Sequence, residues 1–409
     1  MFHKKQAYLI WKGLVDVVTK KAGNWSCPGC PQAPHWQLPW EEIVERYSLL
    51  APLAHCEQDK TFHEEGDVLK HTRLVCEALV ADEEWRALPA KERSIVFAAA
   101  LFHDVGKPDK TEIWADGRIS SFGHARKGAR LVRPMFYRGQ DMDGAVPPFD
   151  CREQIYDLIR YHSIARQWID REQAQRDVIR ATMRAPGQLF RILGRADTVG
   201  RICDDINEAL ERVELFSEFC RDNSCFHQPR TFPSSNTRYL FLTGERPCPD
   251  VEAFDDTSFE VVLLVGLPGA GKDSWIKEQR ELSTEIGGLP VISLDEIRGR
   301  MKVSPADNQG RVVDQAKEEA RELLRRKEPF IWNATNVSFT LRGGLVALFR
   351  RYGARVRMVY RETPYCLLLQ RNDERKEHVP VKVVEYLINK LEVPTNEEAH
   401  EVEWSLEDS

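Results

Sequence analysis

Two kinds of hydrophobic pattern divide the chain. From residue 41 to residue 220, apolar positions recur at spacings of three and four, most clearly in 68–80, 95–102, 155–162 and 202–219. Such periodicity predicts amphipathic helices, and alternating β-branched segments are rare in this half. We therefore predict that the first half is all-α.

After residue 257 the pattern changes to short apolar, β-rich runs that alternate with helical stretches. The predicted strands are 261–265, 291–294, 330–332 and 356–360. The predicted helices begin at 272, 314, 340 and 365. Strands that alternate with helices are typical of a parallel α/β sheet, which we predict for this half.

A proline-rich segment separates the two patterns. It contains four prolines, an acidic pair and a short strand-like run at 239–242, and we interpret it as a connector. The predicted organisation is an N-terminal extension over 1–40, an all-α domain over 41–222, the connector over 223–257 and an α/β domain over 258–409.

Composition narrows the class of protein. The 409 residues suffice for two or three domains, and 42% hydrophobic with 30% charged residues is ordinary for a globular chain. A net charge of −6 argues against a protein that coats duplex nucleic acid, although it permits an enzyme that holds one strand end. The longest apolar run is too short to cross a bilayer, and no signal peptide is evident. We expect a cytoplasmic protein without a membrane partner.

The ten cysteines are scattered, which favours free thiols in a reducing compartment. Only Cys27 and Cys30 have metal-like spacing. His35 lies near them, but no second pair follows, so a proline-rich loop is favoured over a zinc site.

A glycine-rich loop follows the first predicted strand of the second half and opens a helix, as a P-loop does. The candidate nucleotide-binding residues are Gly266, Gly269, Gly271, Lys272, Asp273 and Ser274. Lys272 would reach the β and γ phosphates of ATP. Asp273 occupies the position where serine or threonine usually holds Mg²⁺ or Mn²⁺, and Ser274 follows it, so the identity of that metal ligand stays open.

Asp295 lies only 23 residues after Lys272, at the end of the predicted strand 291–294, where small P-loop kinases carry acceptor-side groups. A carboxylate there can accept the proton of an attacking hydroxyl, and Arg298 can bind an acceptor phosphate. The alternative is that Asp295 only caps a helix. Arg371 and Arg375 are spaced to share a helix face and suit a lid that clamps the transferred phosphoryl group.

Residues of metal-ligand type are spread through the first half. They are His71, His103, Asp104, His124, His162 and Asp197. The His103–Asp104 pair closes a very apolar helix, and burying such a pair without partners costs several kcal/mol. We therefore predict a metal site in which one carboxylate can bridge two ions.

The order His71, His103–Asp104, Asp197 resembles the HD phosphohydrolase superfamily. The second half is similar to P-loop polynucleotide kinases, whose Ser-x-Asp-x-x-Arg motif corresponds to Ser293–Arg298. The fusion, over about 41–400, resembles bacterial HD-Pnk enzymes. The resemblance implies a bifunctional RNA end-healing enzyme: an ATP-dependent kinase of 5′-OH polynucleotide ends joined to a metal-dependent phosphoesterase for 2′,3′-cyclic or 2′-phosphate ends.

The resemblance also implies residue roles. A first metal would be held by His71, His103, Asp104 and Asp197, and a second by His124 and His162 with Asp104 as the bridge. Lys107 and Arg201 would face the phosphate. His63 competes with His71 as first ligand, and His71 is preferred because its helix is amphipathic. Mn²⁺, Ni²⁺, Co²⁺ and Cu²⁺ all suit such ligands.

Three functions remain in competition. The first is the end-healing enzyme, with ATP, RNA ends (DNA as the alternative) and a separate RNA ligase as partners. The second is an HD nucleotide or cyclic-nucleotide phosphohydrolase fused to a small-metabolite kinase. The third, a non-enzymatic nucleotide sensor or mechanical ATPase, is disfavoured by the ligand set. An excess of nine Lys or Arg over three Asp or Glu in 342–376 is consistent with a nucleic-acid track or with a solvated helix face.

Overall fold

The computed structural model describes residues 25–59, 61, 63–282, 284–303, 309–375 and 379–407. The expected extension 1–40 therefore lies mostly outside the described residues. The chain separates into two compact units, one ending at Arg230 and the other beginning at Thr231. Within the described ranges, no helix is both long and apolar enough to span a membrane.

The first unit is helical, as predicted. Its helices are α1 (Trp40–Arg46), α2 (Val68–Ala81), α3 (Glu83–Ala87), α4 (Ala90–Phe102), α5 (His124–Arg138), α6 (Phe149–Arg160), α7 (Ile164–Gln167), α8 (Ala174–Ala181), α9 (Gly187–Val199) and α10 (Ile206–Asp222). Two 3₁₀ helices, Ser48–His55 and Trp168–Asp170, join them. A small antiparallel hairpin of β1 (Glu112–Ile113) and β2 (Ile119–Ser120), which the helical pattern did not predict, precedes α5.

Helix α4 is the centre of this unit. Every residue from 94 to 102 is buried, because the helix is apolar on all sides and packs against α2, α6 and α9. The carboxyl end of α4 therefore opens into the interior rather than at the surface. The residues that follow it, His103 and Asp104, are buried in consequence.

The second unit contains a five-stranded parallel sheet. The strands are β3 (Phe259–Val265), β4 (Val291–Ser293), β5 (Phe330–Asn333), β6 (Ala354–Glu362) and β7 (Glu401–Leu406), in the spatial order β4-β5-β3-β6-β7. The helices are α11 (Ser235–Thr243), α12 (Lys272–Leu282), α13 (Thr284–Gly287), α14 (Leu294–Met301), α15 (Gly310–Arg325), α16 (Phe339–Arg350), α17 (Tyr365–Glu374) and α18 (Val381–Lys390). The predicted fold class, an all-α domain followed by a parallel α/β domain, is confirmed.

Apart from the β1–β2 hairpin, the secondary structure also departs from the sequence predictions in both units. Residues 239–242, predicted as a short strand, lie in α11, because Ser234 caps the helix start and Gly244 ends it in the left-handed conformation. The predicted helix 202–219 begins only at Ile206. The edge strand β7 was not predicted.

A buried ion pair holds α16 to the loop before β7. The guanidinium of Arg342 donates to both carboxylate oxygens of Glu398, at 2.6 and 3.0 Å, and to the carbonyl oxygen of Asn336 at 3.0 Å. Both side chains of the pair are at most 3% exposed. A charge at this depth is tolerated because its partner and hydrogen bonds are in place.

Replacement of Arg342 by methionine should destabilise the second unit by roughly 3–5 kcal/mol, because the Glu398 carboxylate stays buried without its cation. Urea unfolding measures the loss. Arg351→Ala, an exposed arginine nearby, is the control and should change stability by less than about 0.5 kcal/mol. The double variant Arg342→Met, Glu398→Leu should recover part of the loss, and a single variant as stable as the parent would disprove the role.

Candidate functional site

The six predicted metal ligands lie at one place in the first unit. His71 is on α2, His103 and Asp104 follow α4, His124 begins α5, His162 follows α6 and Asp197 is near the end of α9. All except His124 are almost fully buried. The helix packing around α4 thus brings together residues that are up to 126 positions apart.

Four of these residues form one cluster. The Nε2 atom of His71 lies 3.2 Å from Oδ1 of Asp197 and 3.9 Å from Oδ2 of Asp104. The Nε2 atom of His103 lies 3.2 Å from Oδ2 of Asp104 and 3.8 Å from Oδ1 of Asp197. These are the four residues assigned to the first metal by the sequence resemblance.

Asp104 also joins a second cluster through its other oxygen. Its Oδ1 lies 3.2 Å from Nε2 of His124, and the Nε2 atoms of His124 and His162 are 3.4 Å apart. The two oxygens of one carboxylate therefore face two sets of imidazole nitrogens. This geometry allows Asp104 to bridge two cations.

The hydrogen bonds of the imidazole rings indicate which ring nitrogens could bind a metal ion. The Nδ1 atoms of His103, His124 and His162 lie 2.8–2.9 Å from the carbonyl oxygen three residues earlier. A carbonyl oxygen only accepts, so each Nδ1 carries a proton, and a ring that binds a metal in its neutral form would present its Nε2 lone pair. His103 Nε2 and Asp104 Oδ1 are buried without a hydrogen-bond partner. Lone pairs facing carboxylates fit a divalent cation, with nitrogen and oxygen as ligands.

The electrostatics of the clusters are those of a cation site. Burial favours neutral acids, yet His103 and Lys107 hold the pKa of Asp104 well below its usual range. Arg166 and His71 do the same for the pKa of Asp197. Burial lowers the pKa of His162 to about 3. At neutral pH both carboxylates are ionised and His162 is neutral, which are the forms that bind metals.

Lys107 and Arg201, which are expected to face the phosphate, differ in their contacts with the clusters. The Lys107 ammonium lies 2.7 Å from Oδ2 of Asp104 and donates to Oε1 of Gln58 at 2.6 Å. Arg201 is buried in the segment after α9, one residue before Ile202. The main-chain N–H of Ile202 donates to Glu65 at 3.0 Å.

Glu65 and Arg166 are site residues that the sequence reasoning missed. Oε1 of Glu65 lies 2.7 Å from Nδ1 of His63 and 2.9 Å from Nδ1 of His71, so the carboxylate separates the two histidines. It is the other nitrogen of His71 that faces Asp197, which favours His71 over His63 as first ligand. Arg166 lies 3.2 Å from Oδ2 of Asp197. Proximity of Glu65 to the two histidines in sequence was the available signal.

Glu65→Gln should weaken metal binding to the first cluster about 10- to 100-fold, because carboxylates behind metal-binding imidazoles orient the ring and raise its basicity. Titration calorimetry with Mn²⁺ measures the affinity. Glu64→Gln removes an adjacent, exposed carboxylate and should leave it unchanged. Equal affinities for the two variants would remove Glu65 from this orienting role.

The second site is the loop between β3 and α12, which follows the carboxyl end of the central strand of the sheet. Gly269 and Gly271 have φ of +86° and +78°, and a Cβ at Gly266 would lie 2.7 Å from the carbonyl oxygen of Arg361. These three positions therefore require glycine. The Lys272 ammonium donates to the carbonyl oxygens of Gly266 and Leu267 at 3.0 and 3.1 Å. Lys272 thus folds over the loop that it follows, as a phosphate-binding lysine would.

Burial lowers the pKa of Lys272 to about 8, and the nearby Asp273 and Asp295 carboxylates oppose this shift. Asp273 accepts a 2.6 Å hydrogen bond from the side-chain amide of Asn333, at the end of β5. Ser274 is exposed on the next position of α12. The structure thus fixes the Asp273 carboxylate at the carboxyl edge of the sheet.

Asp295 is not the helix cap. Ser293 caps α14 through a 3.4 Å bond from the N–H of Glu296, which leaves Asp295 as the second helical residue with a side chain 71% exposed. Asp295 forms an ion pair with Arg298, whose Nε donates to Gln309 at 2.8 Å. An exposed carboxylate at this edge is free to meet an incoming hydroxyl.

The two lid arginines do not share a helix. Arg371 lies on α17, whereas Arg375 follows the end of that helix in extended conformation. Arg371 binds Glu407 with two bonds of 2.6 Å. A Cβ at Gly271 would be 3.6 Å from the guanidinium nitrogens of both Arg371 and Arg361. Arg361 was missed, although it directly follows the predicted strand 356–360.

Within its described residues, 342–375, the arginine-rich stretch is not an open cationic track, because five of its arginines are paired with acidic residues. The pairs are Arg342–Glu398, Arg350–Glu245, Arg355–Glu401, Arg357–Glu403 and Arg371–Glu407. The interpretation as a nucleic-acid track is therefore wrong for these residues.

Cys27 and Cys30 belong to the core of the first unit. Burial raises the pKa of both thiols to about 12, which disfavours the thiolate form that zinc binds. Cys27 Sγ lies 3.6 Å from the Tyr47 hydroxyl. Within the described part of the chain, neither cysteine belongs to a group of possible metal ligands.

Comparison with known proteins finds a family model for each of the two regions that contain these sites. Residues 68–202 match the family model described as HD domain, and residues 261–394 match the one described as AAA domain. The L-seryl-tRNA(Sec) kinase of Methanococcus maripaludis is 25% identical over 150 residues, which are 36% of this chain and 57% of that relative. The chain thus spans a little over half the length of that relative. It joins an HD domain, which implies a divalent metal, to a P-loop kinase-like domain, which implies ATP and Mg²⁺.

Proposed function

We propose that the chain is a bifunctional RNA end-healing enzyme. Its P-loop unit phosphorylates a 5′-hydroxyl end, and its helical unit hydrolyses a 2′,3′-cyclic phosphate or 2′-phosphate end. The observation that carries the proposal is the presence, in one chain, of a bridged His–Asp cluster and a P-loop with an exposed carboxylate beside it. The first suits removal of a phosphate and the second suits its addition.

In the P-loop unit, the glycine-rich loop and Lys272 hold the ATP phosphates. The Asp295 carboxylate accepts the proton of the acceptor hydroxyl. The hydroxyl oxygen forms a bond to the γ-phosphorus of ATP while the bond between that phosphorus and ADP breaks. Arg298 holds Asp295 in place. Arg361 and Arg371, beside Gly271, offset the negative charge that develops on the transferred group.

In the helical unit, His71, His103, Asp104 and Asp197 would hold one metal ion, and His124 with His162 a second across Asp104. A divalent metal, when bound, supplies positive charge and lowers the pKa of a coordinated water molecule to near neutrality. Lys107 and Arg201 bind the phosphate oxygens. Arg166 holds Asp197 in its ionised form and fixes its orientation.

Two opposed activities in one chain are productive only where they act at different positions. A kinase and a phosphohydrolase that acted on the same group would consume ATP without net change. A broken RNA strand offers both positions, since a cyclic phosphate remains on one end and a free 5′-hydroxyl on the other. Strand ends therefore fit these two activities better than a single small metabolite does.

The alternative is a kinase for a smaller acceptor fused to a nucleotide phosphohydrolase. The relative named L-seryl-tRNA(Sec) kinase supports this alternative, because its name places the acceptor on the serine carried by a tRNA. The neutralised arginine stretch also removes one argument for an extended polynucleotide track. Seryl-tRNA is therefore the competing acceptor to include in each kinase assay.

The kinase proposal is tested with labelled ATP and an RNA that bears a 5′-hydroxyl and a 2′,3′-cyclic phosphate. Lys272→Ala should abolish transfer, and Asp295→Asn should lower it about 10²- to 10⁴-fold, since it loses its proton acceptor. Glu296→Gln, an exposed carboxylate next to Asp295, is the control and should transfer normally. Label on the seryl group but not on the 5′ end would establish the alternative.

The phosphoesterase proposal is tested on the other end of the same RNA. Asp104→Asn should abolish opening of the cyclic phosphate and release of phosphate, because it removes the bridging carboxylate, while 5′ transfer stays within about twofold of normal. Asp109→Asn, a partly exposed carboxylate paired with Lys127, should retain both activities. Phosphoesterase activity that survives removal of divalent metals by a chelator would contradict the proposed site.

A further inference from the structure

The loop between two predicted ligands, residues 108–123, has no role in the fold or site described so far. We name it the 108–123 loop. It carries the β1–β2 hairpin, in which the N–H of Trp114 donates to the carbonyl oxygen of Arg118 at 2.9 Å and Gly117 makes the turn with φ of +86°. The hairpin is thus an ordered projection from the helical unit.

Both ends of this loop are tied to the metal-ligand cluster. The N–H and hydroxyl of Thr111 donate to the carbonyl oxygen of Lys107 at 2.8 and 2.9 Å, and Lys107 contacts Asp104. At the other end, the carbonyl oxygen of Ser121 accepts the N–H of His124 at 3.1 Å and lies 2.8 Å from its Nδ1. The hydroxyls of Thr111 and Ser121 are 2.8 Å apart, which joins the two ends.

Two aromatic side chains of this loop are exposed. Phe122 lies between Ser121 and the predicted ligand His124 in the chain and is 93% exposed. Trp114 is 53% exposed, and the guanidinium of Arg118 lies 5.2 Å from its ring centroid. One exposed apolar residue is common on a protein surface, but the residue directly before Phe122 contacts the His124 ring, and the His124 side chain is itself 23% exposed.

The charge of this region is opposite to that of the whole chain. Residues 107–127 contain five Lys or Arg and three Asp or Glu, whereas the chain carries a net charge of −6. Arg118 and Lys127 form ion pairs with Asp116 and Asp109 of the same stretch, and an excess of two positive charges remains after the acids are subtracted. A ligand that fits must therefore combine anionic groups with a flat apolar surface. Nucleotides have this chemistry, because the phosphate and the base are joined by one ribose, and bases stack on aromatic rings and on arginine.

We propose that Phe122 is a stacking surface for the nucleobase whose phosphate occupies the His–Asp cluster. The inference rests on the proposed function in that the phosphate belongs to a nucleotide. Stacking is tolerant of base identity, because every base has a π face. The phosphoesterase then reads the presence of a terminal base and not its sequence.

The test is a pair of binding measurements on the full chain loaded with Mn²⁺. Titration calorimetry gives the affinity for adenosine 2′-phosphate, which has a base, and for inorganic phosphate, which has none. Phe122→Ala should weaken adenosine 2′-phosphate about 5- to 150-fold and leave phosphate unchanged. Phe122→Trp should restore the affinity. Phe254→Ala, which removes an 85% exposed phenylalanine of the second unit, is the matched control and should bind both ligands normally.

Three outcomes would overturn the inference. The first is an affinity for adenosine 2′-phosphate that is unchanged in Phe122→Ala. The second is an equal loss of affinity for both ligands, which would mean that Phe122 acts through His124. The third is a parent protein that binds inorganic phosphate more tightly than adenosine 2′-phosphate. The proposed function is judged separately, by hydrolysis of the cyclic RNA end in the parent protein. If Phe122→Ala weakens nucleotide binding but the parent protein does not hydrolyse the cyclic end, this inference stands and the proposed reaction is wrong. If the parent protein hydrolyses the cyclic end and Phe122→Ala has no effect on binding, the proposed reaction stands and this inference is wrong.

Discussion

The burial of two carboxylates is the constraint on which the helical unit depends. Asp104 and Asp197 lie in the interior around α4, where an ionised acid without compensation costs several kcal/mol. Lys107 and Arg166 each contact one of them, and the imidazoles of His71 and His103 lie between the two. Because α2, α4 and α7 must end or pass at this point to supply the compensating groups, the same contacts fix the helix packing and form the place for a cation.

The second unit solves the opposite electrostatic problem. Parallel strands end at one edge of the sheet, where loops can present main-chain N–H groups and cations to an anion. Gly266, Gly269 and Gly271 allow the loop to close tightly, and Arg361 and Arg371 flank it. One unit therefore gathers lone pairs around a place for a cation, and the other gathers positive charge around a place for a phosphate.

The sequence predicted what local pattern controls and missed what distant partners control. Periodicity located the main helices and four strands, and residue type located the His–Asp cluster around Asp104. The edge strand β7 was missed because it has no continuous apolar run, which is the pattern that marked the other strands, and because its acids pair with arginines of β6. The same pairing hid the true state of the basic stretch, since its acidic partners lie 36 to 105 positions away along the chain. Glu65 and Arg361 were missed because a single glutamate or arginine does not indicate a role until its partners in the fold are known.

Neutralisation of those arginines changes where substrate recognition must reside. A free row of guanidinium groups would bind a strand along its length, whatever its end, and such binding comes from phosphate charge alone. With the row paired to carboxylates, affinity has to come from groups close to the two reaction sites. In the proposed function, Lys272 with Arg361 at one site, and Lys107 with the 108–123 loop at the other, would recognise a phosphate and what is directly bonded to it. Under that proposal, an acidic chain built in this way is suited to bind termini in preference to the strand between them.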